Sequence, residues 1–510
     1  MVNEELKYRI LQNFGFAPTA DQLHAVEVFA RFMTDRDERA VMILRGSAGT
    51  GKTSLAGAIV RTMQELRQKV TLLAPTGRAA KVFSLNANQP AATIHRSIYR
   101  EKAFTGLDGK FNLNVNLFHD RLFMVDEASM ISLSSNNSTF GSGCLLDDLI
   151  QYVYNDHNCR MLLVGDKAQL PPVGEEESPA LRSHVLRAYG LMVYECDLNE
   201  VLRQSQDSGI LYNATVIRQM ITHDEVTQLP KIRFKGFADI SIVPGDELIE
   251  RLASSYSEVG IDETMVITRS NKRANVFNQG IRNMVLGREE ELTTGDMLMV
   301  VKNKYKNTPP PSPSPNGSLN NTTNNVNSLT TQATRQVTQL PSGGGKEIEK
   351  PALTFIANGD RAVVRRVRNV REFYGFRFAD VSLEFPDYNN AEEEMTVILD
   401  ALMTEAPTLT QEQNEQLFQH VLEDYEDIPL KADRMKKVRE DEYYNALQVK
   451  FGYAITCHKA QGGQWAHIYL DQGYMTDEML TPDYIHWLYT AFTRATEHLY
   501  LVNWPKTQVE

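Results

Sequence analysis

The stretch Gly46-Ser47-Ala48-Gly49-Thr50-Gly51-Lys52-Thr53-Ser54 follows the apolar run Val41–Leu44 and leads into a helix-forming segment. It fits G-x-x-x-x-G-K-[ST] at every fixed position, and strand–loop–helix is the setting that pattern requires. The glycines let backbone N–H groups approach phosphate oxygens, and the helix N-terminus adds partial positive charge. Lys52 is placed to reach the β- and γ-phosphates and Thr53 to bind Mg2+, so ATP and Mg2+ are the expected cofactors. A buried strand feeding a helix in this way also decides the fold class, which is α/β with a parallel sheet.

Working outward, Leu122-Phe-Met-Val-Asp126-Glu127 is a second apolar strand, and it ends in two carboxylates. Asp126 can hold the metal, and Glu127 can orient or deprotonate an attacking water. A third strand runs into Gly165-Asp166-Lys-Ala-Gln169-Leu-Pro-Pro-Val-Gly174, a loop stiffened by two prolines, from which Gln169 could sense a γ-phosphate. Further strand-like runs are Val70–Ala74, Met161–Val164, Met265–Thr268, Tyr453–Thr456, His467–Leu470 and Leu499–Val502. They fall into two groups, and two parallel-sheet units are expected, the second interrupted by insertions.

The expected division is 1–205 for the first unit, 206–292 for the start of the second, 293–400 for an inserted β-module, 401–447 for a charged helical arm and 448–510 for the remainder of the second unit. Within the β-module, residues 308–345 are rich in Asn, Thr, Ser and Pro with Arg335 as their one charge, so a disordered insertion is expected there.

The 510 residues are 42% apolar, in keeping with folded cores, and no run is long enough to span a membrane. The charged start MVNEELKYRI lacks the apolar core of a secretory signal, and the four cysteines form no C-x-x-C pair, so a reduced, cytoplasmic setting is expected. A net charge of −12 argues weakly against nucleic acid, because an average over a large chain hides local basic channels.

With these residues in hand, the sequence resembles superfamily 1 helicases, and within them the 1B branch of RecD-, Dda- and Pif-type enzymes. Thr19-Ala-Asp-Gln22 resembles the Q motif, Gly46–Thr53 motif I, Ala74-Pro75-Thr76-Gly77-Arg78-Ala-Ala motif Ia, and Thr93-Ile-His95-Arg96 motif Ib. Asp126-Glu127-Ala-Ser resembles motif II, Gly165–Gly174 motif III, and Leu198-Asn-Glu-Val-Leu-Arg203-Gln motif IV. Tyr453-Ala-Ile-Thr456-Cys-His458-Lys-Ala-Gln-Gly462 resembles motif V and Tyr489-Thr-Ala-Phe-Thr-Arg494-Ala motif VI, while the segment from Thr268 through Asn271 is similar to the run opening the family's second domain.

The resemblance implies two RecA-like domains with a small SH3-like β-barrel insertion and a β-hairpin pin. It implies nucleotide contacts from Gln22, which would read the adenine edge, from each of residues 46–54, and from Gly462. Lys52, Asp126, Glu127, Gln169, Arg203 and Arg494 would be catalytic, with Thr53 and Asp126 on the metal. Pro75, Thr76, Gly77, Arg78, Thr93 and His95 on one side, and Asn271, Thr456 and His458 on the other, would grip single-stranded DNA. A hairpin over about residues 97–119, turning at Leu107-Asp-Gly109, would be the pin, with Phe104 or Phe111 stacking on the first base pair. The implied activity is ATP-dependent 5′-to-3′ unwinding of tailed or forked duplex DNA by a monomer, in repair, recombination or replication. A DNA translocase or protein-displacing ATPase with little unwinding, and a non-motor P-loop switch, stay open on the sequence alone, as does RNA as the track.

Overall fold

The computed structural model describes residues 2–101, 111–133, 141–200, 207–223, 228–305 and 355–510. The expected insertion 308–345, Phe104 and Arg203 therefore lie outside the described residues.

The first lobe is built on a sheet of six parallel strands in the spatial order Ala91–Thr93, Lys69–Ala74, Arg121–Val125, Arg160–Gly165, Ala40–Gly46, Met192–Leu198. Side chains alternate across it with period two. Met42, Leu44, Met124, Leu162 and Val164 enter the core under helices Ala20–Thr34 and Lys52–Glu65, while Val41, Ile43, Phe123, Val125, Met161 and Leu163 enter the core on the opposite face. Burial of both faces explains why these strands read as continuous apolar runs.

The second lobe has five parallel strands in the order Ala454–Thr456, Thr264–Thr268, Trp465–Asp471, Ala495–Val502, Ile240–Val243. Its sequence is split, as expected, by inserted segments. One insertion is a closed barrel of strands Met297–Val300, Arg361–Phe373, Phe376–Phe385, Ala391–Ile398 and Leu447–Phe451. Here the structure differs from the interval 293–400: the fifth strand comes from residues beyond the helical arm and closes the barrel by pairing parallel to Ala391–Ile398 and antiparallel to Met297–Val300. The arm itself consists of helices Gln411–Glu423 and Lys431–Glu440, which pack Leu417, Val421 and Val438 against Phe376 and Phe378 of the barrel hairpin. Among the described residues, no helix is long and apolar enough to cross a membrane.

Candidate functional site

Strand Ala40–Gly46 delivers the phosphate-type loop to the C-terminal edge of the first sheet. Position 46 tolerates only glycine, because a Cβ there would sit 2.7 Å from Thr50 Oγ1 and 2.8 Å from Lys52 Cγ. Gly51, left-handed at φ 78°, caps helix Lys52–Glu65 without a side-chain acceptor for its first N–H groups. Lys52 Nζ donates to the Gly46 carbonyl and, at 3.1 Å, to the Ser47 carbonyl. Gln22 supports the loop from behind: fully buried, its Nε2 donates to Thr50 O at 2.9 Å and its Oε1 accepts from Thr19 N at 3.0 Å. Both ends of that amide are engaged by a helix cap and the loop backbone, and reading an adenine edge would require the amide to exchange these partners.

The acidic pair ends strand Arg121–Val125 as expected. Asp126 Oδ1 accepts from Glu127 N at 2.9 Å, and Glu127 adopts φ 51°, a left-handed conformation that non-glycine residues adopt rarely and that often marks a functional position. Burial, reinforced by the charge of Glu127, pushes the Asp126 carboxyl well above the usual carboxylate range. Gln169, with its amide oriented to satisfy both neighbours, donates to Glu127 Oε2 at 3.2 Å and accepts from Arg494 Nη2 at 3.0 Å. Arg494 is 2% exposed, held by Thr490 O and Gly463 O at 3.1 Å each, and its Nη1 lies 3.7 Å from Glu127 Oε1. These groups face a cavity of about 630 Å3, lined from the first lobe by residues including Ser47, Ala48, Gly49, Lys52, Thr53, Ser54, Asp126, Glu127 and Gln169, and from the second by Gly462, Thr493 and Arg494. Oxygen donors from Thr53 and Asp126 on that wall, with one carboxylate strongly disfavoured as an uncompensated anion, suit a hard divalent cation such as Mg2+.

The helix Pro482–Phe492 of the second lobe docks on this edge of the first. Tyr489 OH accepts from Ala48 N at 3.0 Å and donates to Asp166 Oδ2 at 2.6 Å. Thr490 Oγ1 accepts from Leu170 N at 2.8 Å, His486 Nδ1 donates to Ala168 O at 2.9 Å, and Gln461 Nε2 donates to Leu170 O at 2.6 Å. The loop with two prolines is thus the seat of the second lobe. Sequence reading had marked Asp166, Gln169 and Arg494 there but missed His486, Tyr489 and Thr490 as partners. A signal existed in the spacing of His486, Tyr489 and Thr490, which puts three polar groups on one face of an apolar helix.

The residues expected to grip DNA lie at the C-terminal edges of the two sheets. Ala74 and Thr93 are neighbours in the first, and Thr268 and Thr456 in the second, so Pro75–Arg78 with His95, and Asn271 with Thr456 and His458, leave equivalent edges. His458 is exposed, whereas Asn271 and Thr456 are half-buried. Thr76 and Thr93 use their hydroxyls as helix caps, accepting from Ala79 N and Arg96 N.

Two members have other partners in this structure. His95 packs beside Tyr99, ring centroids 5.6 Å apart, and burial drives its pKa down to about 4, so it stays neutral near pH 7 and offers no cation to a phosphate. Arg78 is sequestered between the lobes and the barrel. It donates to Gln464 O at 2.6 Å, lies 5.5 Å from the Trp465 ring, and approaches Glu263 and Asp387 at 3.4 and 3.7 Å. Gly77 beside it faces the barrel, where a Cβ would lie 2.6 Å from Asp360 Oδ1. Of the expected pin, strands Tyr99–Glu101 and Phe111–Leu113 pair antiparallel as a hairpin requires, and the tip between them lies outside the described residues.

Parts of this chain are similar to known proteins. A family model described as an AAA domain matches residues 18–229, and one described as a UvrD-like helicase C-terminal domain matches residues 451–502. The ATP-dependent DNA helicase dda of Enterobacteria phage T4 is 24% identical over 286 residues, covering 53% of this chain and 58% of dda. The ATP-dependent RecD2 DNA helicase of Deinococcus radiodurans is 33% identical over 134 residues, 26% of this chain and 16% of that protein. The uncharacterized protein R530 of Acanthamoeba polyphaga mimivirus is 23% identical over 503 residues, 91% of this chain and 96% of the viral one. This chain thus spans less than two thirds of either named helicase. A crystal structure of Pif1 helicase from Bacteroides with ADP-AlF3 and ssDNA aligns with a TM-score of 0.44 at 14% identity, over 97% of this chain and 95% of that one.

Proposed function

We propose that the chain is a superfamily 1B P-loop helicase, a reading supported by the two family models and the helicase relatives, and that it hydrolyses ATP to move 5′-to-3′ along single-stranded DNA as a monomer, opening tailed or forked duplexes ahead of it in repair, recombination or replication. The observation that carries the reading is the composite cavity, in which Lys52, Glu127 and Gln169 of one lobe meet Arg494 of the other.

The chemistry follows from that geometry. Lys52 exchanges its loop carbonyls for the β- and γ-phosphates, which compete better for an ammonium because they carry charge. Glu127 orients the attacking water, and Gln169 ties its carboxylate to Arg494, so the base is aligned when the lobes are closed. Arg494 neutralises charge developing on the γ-phosphoryl oxygens, and Arg203 would join it from the segment after strand Met192–Leu198. Thr53 and Asp126 would hold Mg2+, which supplies positive charge to the phosphates. Loss of the γ-phosphate removes the shared anion that both lobes neutralise, and the lobes part. Alternating grip at the two sheet edges, by Thr76 on one and by Asn271, Thr456 and His458 on the other, turns opening and closing into steps. The hairpin based on Tyr99–Glu101 and Phe111–Leu113 serves as the wedge. A soluble, cytoplasmic placement belongs to the same reading.

Strand separation on two duplexes, one with only a 5′ tail and one with only a 3′ tail, tests the proposal, with Lys52→Ala as the inactive control. Opening of the 5′-tailed duplex alone is expected. Opening from the 3′ tail alone would refute the polarity, and DNA-stimulated hydrolysis without opening would replace the helicase by a translocase.

A further inference from the structure

Helix Gly209–His223 belongs to the second lobe. Ile210, Ala214 and Ile217, spaced for one helical face, enter the core that also holds Tyr489. Asp239 fixes the helix start, accepting from Gly209 N at 2.8 Å and from Ser208 Oγ at 2.5 Å. The residue after Ile217 is Arg218. Its guanidinium crosses the interface and donates through Nη1 to Ser47 Oγ, in the phosphate-type loop of the first lobe.

Ser47 is a consequential residue to hold. Its carbonyl accepts from Lys52 Nζ at 3.1 Å and from Thr50 Oγ1 at 2.8 Å, so the loop's lysine and its internal turn both rest on it. Its neighbour Ala48 is held by Tyr489. Two adjacent loop residues are thus gripped by two separate helices of the opposite lobe, one grip being a permanent cation. Nothing in the motif reading marks Arg218, because it lies outside every motif.

We infer that Arg218 is a positioning residue for ATP hydrolysis, which through Ser47 sets the loop in its reactive shape when the lobes close. The inference rests on the ATP-hydrolysis reading above. A group acting this way contributes chiefly in the closed, reacting complex, so its loss falls on kcat more than on KM. A lysine keeps the charge on a differently shaped point donor, so it keeps only part of the contact.

The test is a double-mutant cycle with DNA-stimulated ATPase as readout, using Arg218→Ala, Arg218→Lys, Ser47→Ala and the Arg218→Ala/Ser47→Ala double variant, with thermal melting of each. Arg218→Ala is expected to lower kcat about tenfold with KM for ATP changed by less than about threefold, and Arg218→Lys to recover part of it. Ser47→Ala should cost a similar factor, and the double variant no more than either single, because one interaction is being removed. A kcat for Arg218→Ala within about twofold of wild type, or losses that multiply in the double variant, would overturn the inference. A loss that simply follows a lowered melting temperature would do the same, and if the alanine variant does not fold, the lysine variant carries the comparison. A wild type without DNA-stimulated turnover refutes the helicase reading instead. The same cycle is then scored by single-turnover ATP hydrolysis without DNA, where coupling between 218 and 47 supports the inference and additivity overturns it.

Discussion

Tyr489 and Asp166 meet across the cleft at 2.6 Å, a phenol of the second lobe donating to a carboxylate of the first. Because the same hydroxyl accepts from Ala48 N, one oxygen joins the seat of the second lobe to the phosphate-type loop. Tyr489→Phe keeps the buried ring and removes both bonds. A buried hydrogen bond to a charged group contributes about 1.5–3 kcal/mol, so DNA-stimulated kcat is expected to fall about tenfold or more with a modest loss of melting temperature. Unchanged kinetics would mean that the lobes are held shut without this bridge.

Gln169 stands between a carboxylate and a guanidinium, and a neutral amide serves both. Gln169→Ala loses the two contacts. Gln169→Glu keeps the one to Arg494 but places a like charge at the 3.2 Å contact with Glu127. The glutamate variant is therefore expected to hydrolyse ATP more slowly than the alanine variant at pH 7.5, in single-turnover measurements that isolate the chemical step.

Asp126 is held above its ordinary pKa by burial and by Glu127, so its charge is a burden on the folded state. The sign follows: the unfolded chain loses this proton near pH 4, the folded chain only at higher pH, and stability is lost as pH rises through that interval. Asp126→Asn is expected to raise the melting temperature at pH 7.5 while abolishing hydrolysis, and the gain should shrink as pH falls toward about 4. Differential scanning calorimetry across that range measures it, and saturating Mg2+ with ATP should narrow the gap, since bound cation relieves the wild-type charge.

For His95 the sign is opposite. Its folded pKa is depressed to about 4, so the unfolded state binds a proton first, and stability is lost as pH falls from about 6.5. His95→Gln is expected to flatten the stability curve between about pH 6.5 and 4. A histidine proton resonance assigned to His95 and titrating near neutrality would contradict the packing seen here.

The parts of this molecule that chemistry constrains at fixed spacing were readable from the chain. Gly46–Thr53, Asp126-Glu127 and the loop with Gln169 follow strand ends, where the proposed phosphate and metal chemistry would need those types, and the apolar strands before them announce the sheets. Partnerships across long separations were not readable. Leu447–Phe451 looks like any short strand, and only closure of the barrel shows that it belongs to residues far upstream. Gln22 has the right type in the right place, yet its amide supports Thr50. Arg218 follows an ordinary apolar helix face, and its target lies 171 residues away in sequence. An arginine's preference for a strand backbone or for a nearby carboxylate depends on which surfaces fold against it, and Arg78 shows the second outcome.

That outcome reaches beyond one side chain. The Asp387 side chain of the barrel is 1% exposed and gathers Arg78, Lys81 and Arg361 within 3.7, 3.5 and 3.2 Å. Under the proposed function, a DNA backbone approaching Arg78 and Lys81 would compete with this buried carboxylate. On that reading the barrel's posture and the first lobe's hold on DNA would be coupled through one carboxylate, and salt, which screens both the ion pairs and the phosphate contacts, would shift their balance less than it would weaken a lone basic patch.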